Sequence, residues 1–190
     1  MKQPVDCKCR MCCKAEEHVK HIVAGCTTVA PSEYTSRLNK MAGYIHWTVG
    51  KHMGLQVTDK YCEHVPHRVI NFSDTAIMWD ILVITDQTIL TTNLIQHSII
   101  KKEKTCQLID IAIPDDSNVN TIEAEKLGKY KELEIEVSRI WNVRTKIVLI
   151  IIAALGTIKK GFVRNLQLLP DRLAAVKLQK ITLMSIVHII

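Results

Sequence analysis

Four residues near the start of the chain have the types and spacing to hold a metal: Cys9, Cys12, His21 and Cys26, with two, eight and four residues between them. Two cysteines so placed form a tight turn whose thiolates can grip one tetrahedral Zn²⁺. A His and a Cys four apart can close the site from a following helix or turn. Cys7 and Cys13 flank the set as competing thiols. His18 is the alternative nitrogen ligand, but it leaves seven residues before Cys26, which favours His21. With Zn–S bonds of ~2.3 Å, the ligand atoms should converge to within about 4 Å of one another.

A second candidate lies in the middle of the chain. Asp110 interrupts the otherwise apolar Leu108-Ile109-Asp110-Ile111-Ala112-Ile113. A carboxylate there is costly to bury unless it is paired or bound to a cation. Lys126 and Lys129 follow on what reads as the next helix, with Tyr130 beside them. A strand acid facing a lysine next to Mg²⁺ can activate a water against a phosphodiester. The plainer alternative is a structural salt bridge between Asp110 and one of those lysines.

Several elements must position these groups. Tyr34, Leu38, Met41, Tyr44 or Ile45, and Val49 recur at helical spacing between Ser32 and about Leu55, with Pro31, Ser32 and Glu33 as a start signal. Short apolar segments follow at 77–85, 87–90, 95–100 and 106–113, with turns at Asp86-Gln87 and at Lys101 to Lys104, as in a β-meander. Pro114 to Asn118 form a polar break in which the acids suit a helix start. A helix is then expected over 120–142. Its apolar face is read as Leu127, Tyr130, Leu133 or Ile135, Val137, and Ile140 or Trp141, with Lys126, Lys129 and Glu132 on a neighbouring polar stripe. A buried strand over 146–155 and an amphipathic tail from Leu173 complete the chain. The order is mixed α/β, with the last strand reached by a helical crossover.

Composition narrows the function classes. The 190 residues, 47% of them apolar, can bury one moderate core with a small satellite. Seven cysteines, four of them within residues 7–13 and no signal peptide before them, favour metal binding in a reducing compartment over a disulfide framework. The longest apolar run, Ile147 to Leu155, is nine residues, too short for a bilayer. The net charge is +6, and residues 1–70 hold ten Lys or Arg against six Asp or Glu. A basic surface beside a zinc knuckle suits a phosphate backbone.

The ordered set of segments resembles the C-terminal part of polyproteins from site-specific-class non-LTR retrotransposons. The segments are Cys9-Arg10-Met11-Cys12 through His21 to Cys26, Arg37-Leu38-Asn39, Ile77-Met78-Trp79-Asp80, Leu108 to Pro114, Glu125 to Tyr130, and Ala154-Leu155-Gly156. Such polyproteins carry a zinc knuckle and a restriction-like endonuclease after their reverse transcriptase. The resemblance implies a knuckle over 1–30, a helical linker over 31–68, a restriction-endonuclease-like mixed sheet with a crossover helix over 69–160, and a helical tail over 161–190. It implies structural zinc on Cys9, Cys12, His21 and Cys26. Asp110 would be the second catalytic acid, Lys126 or Lys129 the catalytic lysine, and Mg²⁺ the catalytic cation. Arg37 and Asn39, with Lys40 beside them, would contact nucleic acid. The implied partners are DNA and the element's own RNA, the implied compartment is the nucleus, and no membrane is involved.

The departures from the family pattern bear on activity. The Pro-Asp pair that normally precedes the second acid falls on Leu94 and Ile95, and Thr91 to Ile100 does not follow the pattern. The central His of the Arg-His-Asn motif is Leu38, and a strand Pro is Leu149. With one carboxylate replaced by Ile95, Mg²⁺ affinity should be poor. Asp80 and Asp86 are the nearby acids, and spacing favours neither. The expectation is a degenerate endonuclease fragment, impaired in catalysis, with a non-catalytic zinc-containing nucleic-acid-binding module as the alternative.

Overall fold

The structure, a computed structural model, describes residues 8–72, 74–80, 96–100, 104–169, 173–187 and 189. Pro31 and Glu33 in the first turn, and Lys51 and His52 in the last, match the ends of helix α1, Ala30–His52. It begins slightly ahead of the expected Ser32, whose hydroxyl donates back to the Val29 carbonyl at 3.0 Å. Met41, Ile45 and Val49 are buried as their spacing predicts, whereas Tyr34 is exposed.

Five strands follow in spatial order: β1 Val69–Phe72, β2 Thr75–Trp79, β3 Gln96–Ile100, β4 Thr105–Ala112 and β5 Arg144–Ile151. The first four run antiparallel, and β4 pairs with β5 in parallel. Parallel neighbours need a crossover, and helix α2, Val119–Trp141, supplies it. Ile100 pairs with Thr105, which centres that hairpin between residues 102 and 103, as expected. Two strand readings change. β1 escaped sequence reading because it has four residues, none of them buried. The segment expected over 77–85 is described only to Asp80, and β2 ends at Trp79, before Asp80 at φ 47°. Asp86, Leu94 and Ile95 lie outside the described residues.

Strand side chains alternate between faces, and here both faces are covered. Ile109, Ile111, Val148 and Ile150 pack towards α1, α3 (Phe162–Leu166) and α4 (Ala175–Ile186). Leu108, Ala112, Leu149 and Ile151 pack towards α2 through Leu133 and Val137. This is why β4 and β5 read as unbroken apolar runs. Asp110 belongs to the α2 side.

On α2 the expected stripes are exchanged at one position. Leu127, read as apolar face, is 50% exposed. The inward row is Val119, Ile122, Lys126, Tyr130, Leu133 and Val137, at steps of three or four residues. A lysine belongs in that row because it meets the one buried carboxylate of the strand beneath. The helix stops at Asn142 in the left-handed region, φ 51°, a conformation that asparagine tolerates better than most residues. No described helix is long and apolar enough to cross a membrane.

Candidate functional site

The N-terminal segment turns on its own backbone. The Cys13 amide donates to the Cys9 carbonyl at 2.7 Å, and the Cys9 amide donates to Ala15 at 2.7 Å. Lys8 bridges to Glu16. A single π-helical turn, His21–Gly25, carries His21, and Cys26 follows directly. One ligand atom from each of Cys9, Cys12, His21 and Cys26 falls within 4.8 Å of the others. Cys9 Sγ lies 3.9 Å from Cys26 Sγ, and Cys12 Sγ lies 3.3 Å from His21 Nε2. A tetrahedral ion with ~2.3 Å Zn–S bonds needs sulfurs about 3.8 Å apart, so the donor set fits Zn²⁺. These residues form a possible zinc-binding site.

Neither Cys13 nor His18 belongs to the converging set. Cys13 is exposed, at a φ of 54°. His18 Nδ1 instead accepts the His21 amide at 2.8 Å. Cys7 lies outside the described residues. The Cys12 thiol is held down to about 6, first by the backbone amide of Lys14 and then by His21 and Cys9. Thiolate is the form that binds metal. Four protein ligands leave no open coordination position, so zinc here would be structural.

Arg37 requires a correction. The resemblance placed it at a nucleic-acid surface, but it is 1% exposed. Its Nη2 donates to the Val23 carbonyl at 2.8 Å, Nη1 to Ala154 at 3.5 Å and Nε to Glu33 at 3.3 Å. The guanidinium thus ties the knuckle to α1 and to the exit of β5. Its five fixed donors suit carbonyls converging from several directions. Asn39 and Lys40 are exposed on α1 and remain accessible.

Asp110 and Lys126 meet. Lys126 Nζ donates to Asp110 Oδ2 at 2.6 Å, with the carboxylate side chain 2% exposed. The Tyr130 hydroxyl also bonds this carboxylate. Burial pushes the Asp110 carboxyl upward, opposed by the Lys126 ammonium and the Tyr130 hydroxyl. Both ammonium groups also lie near the Tyr130 ring, Lys126 Nζ 5.8 Å and Lys129 Nζ 5.6 Å from its centroid. Of the two lysines, Lys126 is the one bonded to the acid. Among the described residues, the knuckle set is the only group of three or more His, Cys, Asp or Glu placed to hold a metal. Asp115 and Asp116, expected to serve the α2 start, lace loops together instead. Asp115 accepts from Ser117 and pairs with Lys20, and Asp116 accepts from Leu155 and Thr157.

One polar pair escaped the sequence reading. His46, fully buried on α1, shares a 2.7 Å Nδ1···Nε2 hydrogen bond with His64 and meets Trp79 edge-on. Among the described residues its Nε2 meets no hydrogen-bond partner of good geometry. Burial lowers the His46 pKa to about 4, and the nearby His64 and His67 add to the shift. Buried residues from Met41 to Ile45 on α1 hint that His46 faces inward, but nothing in the sequence indicates its partner. No protein-family model matches the chain, and a search of curated proteins finds no match.

Proposed function

We propose that this chain is the zinc-knuckle and restriction-endonuclease-like part of a retrotransposon polyprotein, a DNA-binding module whose nuclease chemistry is impaired. The observation that carries this reading is the Asp110–Lys126 bond on the β4–α2–β5 unit, an acid and a lysine brought together across a parallel crossover. The possible zinc site with the exposed Lys14 in its turn, and the exposed Asn39 and Lys40 on α1, support nucleic-acid contact. The DNA or element RNA would meet that face, in the nucleus.

A catalytic Mg²⁺ would supply an activated water and neutralise phosphate charge, but the described residues do not fit it. Among the described residues Asp110 belongs to no group of three or more metal-ligating side chains, and Lys126 already occupies Oδ2. That same sealed carboxylate favours the second reading, a zinc-containing nucleic-acid-binding module with no catalysis. A nicking assay on supercoiled DNA with Mg²⁺ separates the two. The impaired-nuclease reading expects weak nicking, lost in Asp110→Asn, and the binding reading expects none. Under both, duplex affinity should fall roughly 10²-fold or more between 50 and 200 mM salt. Strong nicking that survives Asp110→Asn, or binding indifferent to salt, would overturn the proposal.

A further inference from the structure

Between α1 and α4 lies a groove of ≈530 Å³, whose rim carries the Asn39 and Lys40 proposed for nucleic-acid contact and whose interior is lined by residues without a role there. Its size falls in the range of small-molecule sites. Val65, Pro66, Ile181 and Met184 give it apolar walls, and Lys40, Lys177 and Lys180 stand around it with no carboxylate in the lining. Lys177 is braced over the Tyr61 ring, 4.9 Å from its centroid. None of the three lysines has an ion-pair partner among the described residues. Val65 and Met184 are 74% and 52% exposed, so apolar surface and uncompensated positive charge face solvent together.

A second observation points into the same space. Gly43 sits in the middle of α1, where glycine weakens a helix relative to alanine. It lines the groove, and a Cβ added there would meet nothing within 4 Å. No close packing demands the glycine. Its missing side chain leaves the groove floor open.

We propose that this groove binds an organic anion with an apolar body, the anion held by Lys40, Lys177 and Lys180 and the body seated against Val65, Ile181 and Met184. The carboxylate of an alkyl or aryl acid and the phosphate of a nucleotide share this chemistry. This site does not depend on the nuclease reading.

The test uses the zinc-loaded full chain and anilinonaphthalene sulfonate, an aromatic sulfonate, as a fluorescent probe. Saturable binding at one site is expected, displaced by decanoate or by adenosine monophosphate. Whichever of these displaces the probe identifies the source of the anion. Gly43→Leu, whose Cβ meets nothing within 4 Å, should fill the floor and weaken binding at least tenfold while the melting temperature holds. Lys177→Glu with Lys180→Glu should do the same by reversing the charge. The proposal is overturned if folded Gly43→Leu binds as wild type. It is also overturned if inorganic phosphate displaces the probe as well as decanoate does, or if neither organic anion displaces it.

Discussion

In the segment 8–26 only Cys9, Ile22, Val23 and Cys26 are fully buried, whereas β4 buries Cys106 and every residue from Leu108 to Ala112. The first region has almost no apolar surface to remove from water and relies on four donor atoms and one guanidinium. The second relies on two covered faces of a sheet and admits a single carboxylate, paired at once. Polar groups therefore play opposite parts. In the knuckle they would be the means of folding once a metal is bound, and in the core they are a cost that a partner must offset.

Removing the metal donors should break the comparison most sharply. Structural zinc contributes on the order of 10 kcal/mol to small metal-bound folds. Cys9→Ser with Cys12→Ser should abolish zinc content and erase amide protection over residues 8–26, leaving β4 and β5 protected. Hydrogen exchange with metal analysis reads both. A knuckle still protected without zinc would show that the donors are incidental.

The core's own polar pair comes next. Lys126→Met leaves Asp110 buried without its counter-charge, and breaking a buried pair typically costs about 3–5 kcal/mol. Asp110→Leu combined with Lys126→Met should recover most of that loss in urea denaturation. A single mutant as stable as wild type would mean that the pair adds nothing to the fold.

A smaller effect is expected from pH. The fold holds His46 neutral, with its pKa lowered from 6.5 to about 4. The unfolded chain takes up a proton first, so stability is intact above pH 6.5 and falls as pH drops towards 4. A shift of that size corresponds to roughly 3 kcal/mol at most. Thermal melts at pH 7 and 4.5 should show the loss, and His46→Phe should flatten it. An equally steep acid loss in His46→Phe would assign the effect to other groups.

The two regions also differ in how far the sequence disclosed them. Structural zinc is held mostly by cysteine and histidine at short spacing, so the set and the preference for His21 over His18 could be read directly. The contact between Asp110 and a lysine one helix later was legible for the same reason, since a charge in an apolar strand requires a partner. The position of Lys126 on the inward row was not, because periodicity sorts residues by apolarity and a paired lysine breaks that rule. Arg37 was hidden more deeply. Its partners are backbone carbonyls of Val23, Glu33 and Ala154, which every residue possesses and no sequence marks. The His46–His64 bond joins residues 18 apart through a loop whose path is set by packing.

The Arg37 contact with Ala154 spans 117 positions of the chain, and that span has a consequence in time. A ribosome adding about 5–20 residues per second completes the knuckle donors on the order of 6–26 s before it reaches Ala154. During that interval the thiols can take up metal, but the guanidinium has only its local acceptors. The segment synthesised early is thus anchored late, and its final seating waits on the last strand of the sheet.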